Sequence, residues 1–286
     1  MPINPTSLIK PHLLILSCVV FFACHSGAHT PPAAAGQKHL PQPAYTHNIK
    51  FDSNTRAIHV FVALCDNKYQ GIVPVPKAIG NGQDPGSNLY WGCDAGIRSY
   101  FKKSSGWVLL KRYKVDSVRL ERLIFKHKTS NYYLVADAYD GRLIRQCTID
   151  FLRSCAGQVK DTLHVNGLAL GIDGNATLVA YIGHDGLMDF RLTERFQNTD
   201  RVKRDAIILA CISKKYFSPL LMPTGAHPLV WTTGLMCPEA YTLHDALDSY
   251  IRKESDDKIR RRAAQAYAQN QRCSEKAAWN LLVSGW

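Results

Sequence analysis

No C-x-x-C pair occurs in the chain, although nine cysteines do. That absence argues against a structural zinc site, and neither a metal nor an organic cofactor is expected. No apolar run reaches the roughly 18–20 residues that a membrane-spanning helix needs. No internal repeat is present, which sets aside solenoids and propellers. The formal charge is +12, yet no nucleic-acid motif accompanies it and the lysines and arginines are scattered. A nucleic-acid partner is therefore not expected, and the charge fits an ordinary basic surface among anionic neighbours.

What is present begins with a targeting pattern. Lys10 precedes "HLLILSCVVFFAC", an apolar run of about a dozen residues, too short to span a bilayer. Phe22-Ala23-Cys24 resembles the lipobox of bacterial lipoproteins, in which the cysteine is lipidated and becomes the new N-terminus. This predicts a signal peptide over residues 1–23, lipidation at Cys24 and a periplasmic or membrane-anchored product, the lipid being the anchor. Residues 24–55 are rich in Pro and Ala and read as a tether. Seven cysteines follow Cys24, an odd number. In an oxidising compartment six could pair and one would stay free.

Hydrophobic residues make up 46% of the chain, enough for a sizeable core. The runs "AIHVFVALC", "YYLVADAY", "TLVAYI", "AIILAC" and "HPLVWTT" are continuously apolar, as strands covered on both faces are. "WVLLKRYKV" also reads as a strand, whereas "RLERLIFKH" fits either period. Helical spacing runs through "NLYWGCDAGIRSYFKK", with Ser87 or Asn88 as its cap, through "RLIRQCTIDFLRSC" and "CPEAYTLHDALDSYI", and through the Ala-rich tail. Alternating strands and helices predict one α/β domain over residues 56–286, a mainly parallel sheet flanked by helices with a C-terminal helical extension.

In open parallel sheets, ligands bind beyond the carboxyl ends of the strands. Polar residues end several of the apolar runs: Asp66 and Asn67, Asp137 and Asp140, His184, Cys211, and Thr232 and Thr233. His184 lies between Gly183 and Asp185-Gly186, so backbone there is open to a substrate and to a developing oxyanion. Cys211 precedes a helix containing Lys214 and Lys215; helix N-terminus and lysines together would favour the thiolate. A thiolate beside an imidazole is the minimal apparatus for acyl transfer.

Strand–His followed by strand–Ala-Cys resembles the caspase-like peptidases, a group that includes caspases, metacaspases, clostripain, gingipains and separase. In that group the histidine ends one strand and the cysteine ends the next. The resemblance implies a caspase-like fold, with His184 as general base and acid, Cys211 as nucleophile and Gly186 as the oxyanion donor. It also implies a peptide or protein substrate. Asp185 stands where the group has glycine, and Leu209 where caspases have Gln. Asp66, Asn67 and Asp140 read first as turn and cap residues; in a pocket they would bind substrate, Asp favouring a basic side chain. The function expected is a cell-envelope cysteine endopeptidase; the alternative is an inactive relative acting as a binding or scaffold lipoprotein. A papain-like amidase acting on cell-wall peptides ranks behind both, because it places cysteine before histidine.

Cys24→Ala should abolish metabolic labelling with palmitate. Labelling equal to wild type would exclude Cys24 as the lipid site.

Overall fold

The computed structural model describes residues 54–286. The export segment 1–23, Cys24 and the tether up to residue 53 lie outside the described residues. The first strand, β1 (Arg56–Ala63), is followed by α1 (Ile97–Lys103), β2 (Trp107–Tyr113), β3 (Arg119–His127) and β4 (Tyr132–Tyr139). Then come α2 (Ile144–Cys155), a hairpin of β5 (Lys160–Val165) and β6 (Leu168–Asp173), β7 (Leu178–Ile182) and β8 (Asp205–Leu209). The chain closes with α3 (Ser213–Leu221), β9 (His227–Thr232), α4 (Ala240–Ile251), α5 (Asp256–Gln271), α6 (Glu275–Leu281) and β10 (Leu282–Val283). All of it falls within one compact unit.

The main sheet has eight strands in the order β10-β9-β8-β7-β1-β4-β3-β2. Its centre, from β9 to β4, is parallel, and the outer pairings are antiparallel. The parallel strands are apolar along most of their length, His59 and Asp137 being buried ionisable exceptions, because both faces are covered. Ile58, Val60, Val62, Leu178, Ala180, Ile182, Ile207 and Leu209 face the layer built from α1, α4 and α5. Phe61, Ala63, Val179, Tyr181, Ala206 and Ile208 face α2 and α3. The hairpin β5–β6 extends this second layer, with Val165, Leu170 and Ile172 packed on Ile124, Tyr133 and Val135. The strand neighbours of β1 are β4 on one side and β7 on the other. Strand order therefore reverses at β1, which opens a crevice at the carboxyl ends of β1 and β7.

The α/β reading stands, with several corrections in detail. "RLERLIFKH" is the strand β3, and the hairpin at 160–173 had no sequence expectation. The tail is two helices and a short strand that pairs with β9. The first helix begins at Ile97, well after Ser87 and Asn88. Asn88 instead ties two loop segments together: its amide donates to the carbonyls of Cys65 and Asn81 and its oxygen accepts from the Cys65 amide. None of the seven cysteines among the described residues is in a disulfide, so the pairing of six that an oxidising compartment would allow is not formed.

Asp137 is not a strand-end residue. It lies within β4, fully buried, and receives a bidentate pair from Arg122 of β3 at 2.6 Å for both contacts. His59 of β1 reaches the same carboxylate at 3.1 Å through Nε2, and its Nδ1 lies 3.2 Å from Asp173 at the end of β6. Burial alone would raise the Asp137 pKa, but hydrogen bonds from Arg122 and His59 outweigh it and hold the carboxyl well below its usual range. Burial would lower the His59 pKa, and Asp173 with Asp137 reverses that and raises it. The cluster links three strands to the hairpin packed over them.

Removing one partner from a buried ionic group leaves the others uncompensated. Asp137→Ala should cost about 3–5 kcal/mol of stability in urea titrations at neutral pH. The Asp137 pKa is depressed in the folded state, so its contribution is complete above the ordinary carboxylate range and is lost as pH falls through the folded value. The variant should show a shallower loss of stability on acidification; wild-type stability and wild-type acid dependence would refute this role.

Candidate active site

β7 and β8 pair in parallel with Ile182 opposite Leu209. His184 and Cys211 each stand two residues beyond that pair, at equivalent positions on strands about 4.8 Å apart. The turn out of β7 depends on Gly183, whose φ is +141°; a Cβ there would lie 2.6 Å from the Ala63 carbonyl oxygen. Glycine thus lets the chain leave β7 hard against β1. The next residue, His184, is only 6% exposed. Its backbone carbonyl accepts from the buried Tyr181 hydroxyl at 2.8 Å. On the ring, Nε2 lies 2.7 Å from Asp189 Oδ2. The same oxygen accepts from the Gly71 amide at 2.9 Å.

Cys211 stands on a strained turn between β8 and α3. Ile212, the N-cap of α3, has φ 51° and ψ 30°, a left-handed conformation unfavourable for a β-branched residue. The surroundings hold it there. The Ile212 amide donates to the Gly234 carbonyl at 2.8 Å. The Ser213 amide donates to Thr232 Oγ1 at 3.1 Å, and the Thr232 amide donates to Ser213 Oγ at 2.9 Å. The Thr232 hydroxyl also donates to the Ala210 carbonyl. Thr232 therefore belongs to the scaffold of the turn rather than to a binding surface.

The Cys211 sulfur is half-buried and points to the loop leaving β9, with the Met236 amide donating to Sγ at 3.4 Å. Burial pushes its pKa above the ordinary thiol value; the Met236 N–H opposes this and nearby Asp185 adds to it. The expectation of a lysine-favoured thiolate is corrected by this geometry. Lys214 reaches the Gly285 carbonyl and lies over the Trp231 ring, and Lys215 lies over Tyr216. Neither ammonium faces the sulfur through these contacts. The Ser213 amide, at the start of α3, is already engaged by Thr232.

Gly186 opens a single 3-10 turn, Gly186–Met188. Asp185 caps that turn, accepting from the Leu187 amide with its side chain and from the Met188 amide with its carbonyl. The Gly186 amide is the first of the turn, and neither Asp185 group is its acceptor. A Cβ at Gly186 would lie 2.7 Å from the Phe190 ring, so glycine also lets that ring close over the turn. The second Asp185 carboxyl oxygen is buried without a hydrogen-bond partner. Burial raises the carboxyl to about 7.

Asp66, Asn67 and Asp140 lie at the same edge of the sheet but serve the loops there. Asp66 accepts from the Lys68 and Tyr69 amides and from Gln83. Gln83 bridges it to Asp140, which also caps a turn and binds Arg142. The Asn67 side chain exchanges both of its hydrogen bonds with the Val75 backbone. Their polar atoms organise the long loop after β1, as turn and cap residues do.

The chain matches no protein-family model, no curated protein and no solved structure. The site is therefore read from its own geometry. Among the described residues, no three His, Cys, Asp or Glu side chains are grouped to hold a metal ion. Among the described residues, no helix is long and apolar enough to cross a membrane. Asp189 is the functional candidate that sequence reasoning missed. Its one sequence signal is a carboxylate following a strand-end histidine within the same turn, a common pairing when the strand is not known to end there.

Because the thiol is half-buried and its pKa is raised, Cys211 should react with iodoacetamide slowly at neutral pH. Peptide mass spectrometry should show its rate still rising at pH values where an unstructured cysteine has levelled off. A Cys211 profile that levels off below that of an unstructured cysteine would refute the stated electrostatics.

Proposed function

We propose that this chain is a cysteine endopeptidase of the caspase-like type, working with a Cys211–His184 dyad. One observation carries the reading: His184 and Cys211 occupy register-equivalent positions past adjacent parallel strands, histidine first and cysteine second. The strained turn at Ile212 supports it, since backbone strain of this kind clusters at functional sites. So does the absence of a disulfide at Cys211.

In the proposed reaction, the His184 imidazole takes the Cys211 proton as sulfur attacks the scissile carbonyl. The amide of Gly186 donates to the oxygen that becomes negative. The imidazolium then returns the proton to the leaving amine, giving a thioester and a free N-terminus. Water, deprotonated by the same imidazole, hydrolyses the thioester. The expected export segment and lipid anchor would place this activity in a bacterial cell envelope, on peptide or protein substrates.

The raised thiol pKa favours a second reading, an inactive scaffold that keeps the fold and the buried cysteine. A fluorogenic peptide library and a peptidyl acyloxymethyl ketone separate the two. For the enzyme, Cys211→Ala and His184→Ala should each lower kcat/KM by about 10³-fold or more, with the melting temperature retained. The ketone should label Cys211 only when His184 is present. Labelling indifferent to His184→Ala, or no cleavage of any library member, would leave the scaffold reading in place.

A further inference from the structure

We infer that Asp189 is the positioning residue of the His184 imidazole, and that the loop after β1 holds Asp189 in place through Gly71. The inference rests on the Cys211–His184 reading and adds a third member to it. The His184 Nε2 to Asp189 Oδ2 distance of 2.7 Å is that of a charge-assisted hydrogen bond. A carboxylate only accepts, so the imidazole donates, and its proton is on Nε2. Nδ1 is then the basic nitrogen, the one available to a thiol proton. A carboxylate that fixes the tautomer and orientation of an imidazole is the third element of a nucleophile–base–orienter arrangement.

Asp189 is itself positioned. It follows the 3-10 turn opened by Gly186, and its own amide donates to the Gly186 carbonyl at 2.9 Å. Its Oδ2 accepts from the Gly71 amide at 2.9 Å. Burial would raise its pKa, but hydrogen bonds from His184 and from the Gly71 amide keep it below the usual carboxylate value, so it is an anion at neutral pH. Residue 71 leaves no room for a side chain: a Cβ would lie 2.3 Å from Asp189 Oδ1. That contact explains the glycine, whose neighbours Gln70 and Asn67 pin the loop to the Leu64, Gly141 and Val75 backbones. The Gly71 amide thus sets the carboxylate that sets the ring.

The test uses the full chain and two readouts that need no substrate. Long-range proton–nitrogen NMR reports which ring nitrogen of His184 carries the proton. Peptide mass spectrometry reports the iodoacetamide rate at Cys211. Wild type should show the Nε2–H tautomer. Asp189→Ala and Gly71→Ala should both lose that preference and slow Cys211 alkylation at least fivefold, with His184→Ala slowing it as much. Circular dichroism melts identify any variant that fails to fold, and Gly71→Ala and Asp189→Ala serve as each other's replacement. If His184→Ala slows alkylation while a folded Asp189→Ala keeps the wild-type rate and tautomer, the role of Asp189 is overturned and the dyad survives. If His184→Ala itself has no effect, the dyad fails and this inference with it.

Discussion

Parallel pairing of β7 with β8, in the register that sets Ile182 against Leu209, is the constraint on which the candidate site depends. Side chains alternate along a strand, so a shift of one residue would turn the site residues to the opposite face. The register is secured by burial on both faces. Leu178, Ala180, Ile182, Ile207 and Leu209 fill one layer, and Val179, Tyr181, Ala206 and Ile208 fill the other. A one-residue slip would exchange the two sets. The two strands therefore put His184 and Cys211 at equivalent places just past their carboxyl ends, and the residues after each strand stop the chain and turn it away.

The two turns that do this differ in chemistry. After β7, Gly183 adopts a conformation other residues rarely enter and lies against β1. After β8, a β-branched isoleucine is forced into left-handed space by the Thr232–Ser213 network and the Gly234 carbonyl. The first turn is permitted by its residue type. The second is imposed by the buried polar groups around it, which are costly to leave unpaired. Strain at Ile212 and a desolvated carboxyl at Asp185 thus flank the two functional candidates on either side.

Buried charge is managed in two ways in the same fold. The His59, Arg122, Asp137 and Asp173 cluster is saturated with partners and joins β1, β3 and β4 to the β5–β6 hairpin. Asp185, by contrast, has one oxygen without a partner, and its carboxyl is pushed up to about 7. A saturated cluster serves the architecture, because every member would be left uncompensated by the loss of another. The carboxylates of Asp66 and Asp140 follow the first pattern at the sheet edge, being engaged by Gln83, Arg142 and loop amides.

The apolar runs by themselves determined the central strands, the α/β class and the carboxyl-edge placement of His184 and Cys211, because strands covered on both faces leave an unmistakable hydrophobic pattern. They left β3 open between two periods, because Arg119, Glu121 and Arg122 interrupt its apolar residues and find their partners only in the fold, and they were silent on the β5–β6 hairpin, whose first strand is largely exposed. Asp137 read as a strand terminus because nothing local to Tyr132–Tyr139 announces a partner, and Arg122 and His59 come from other strands. The lysines after Cys211 suggested a thiolate, but side-chain direction is a tertiary matter, and theirs leads to Trp231, Gly285 and Tyr216. Asp189 and His184 are neighbours in sequence, but only the folded chain could bring Gly71 to Asp189, since the loop that carries Gly71 leaves a different strand and that hydrogen bond spans residues far apart in sequence.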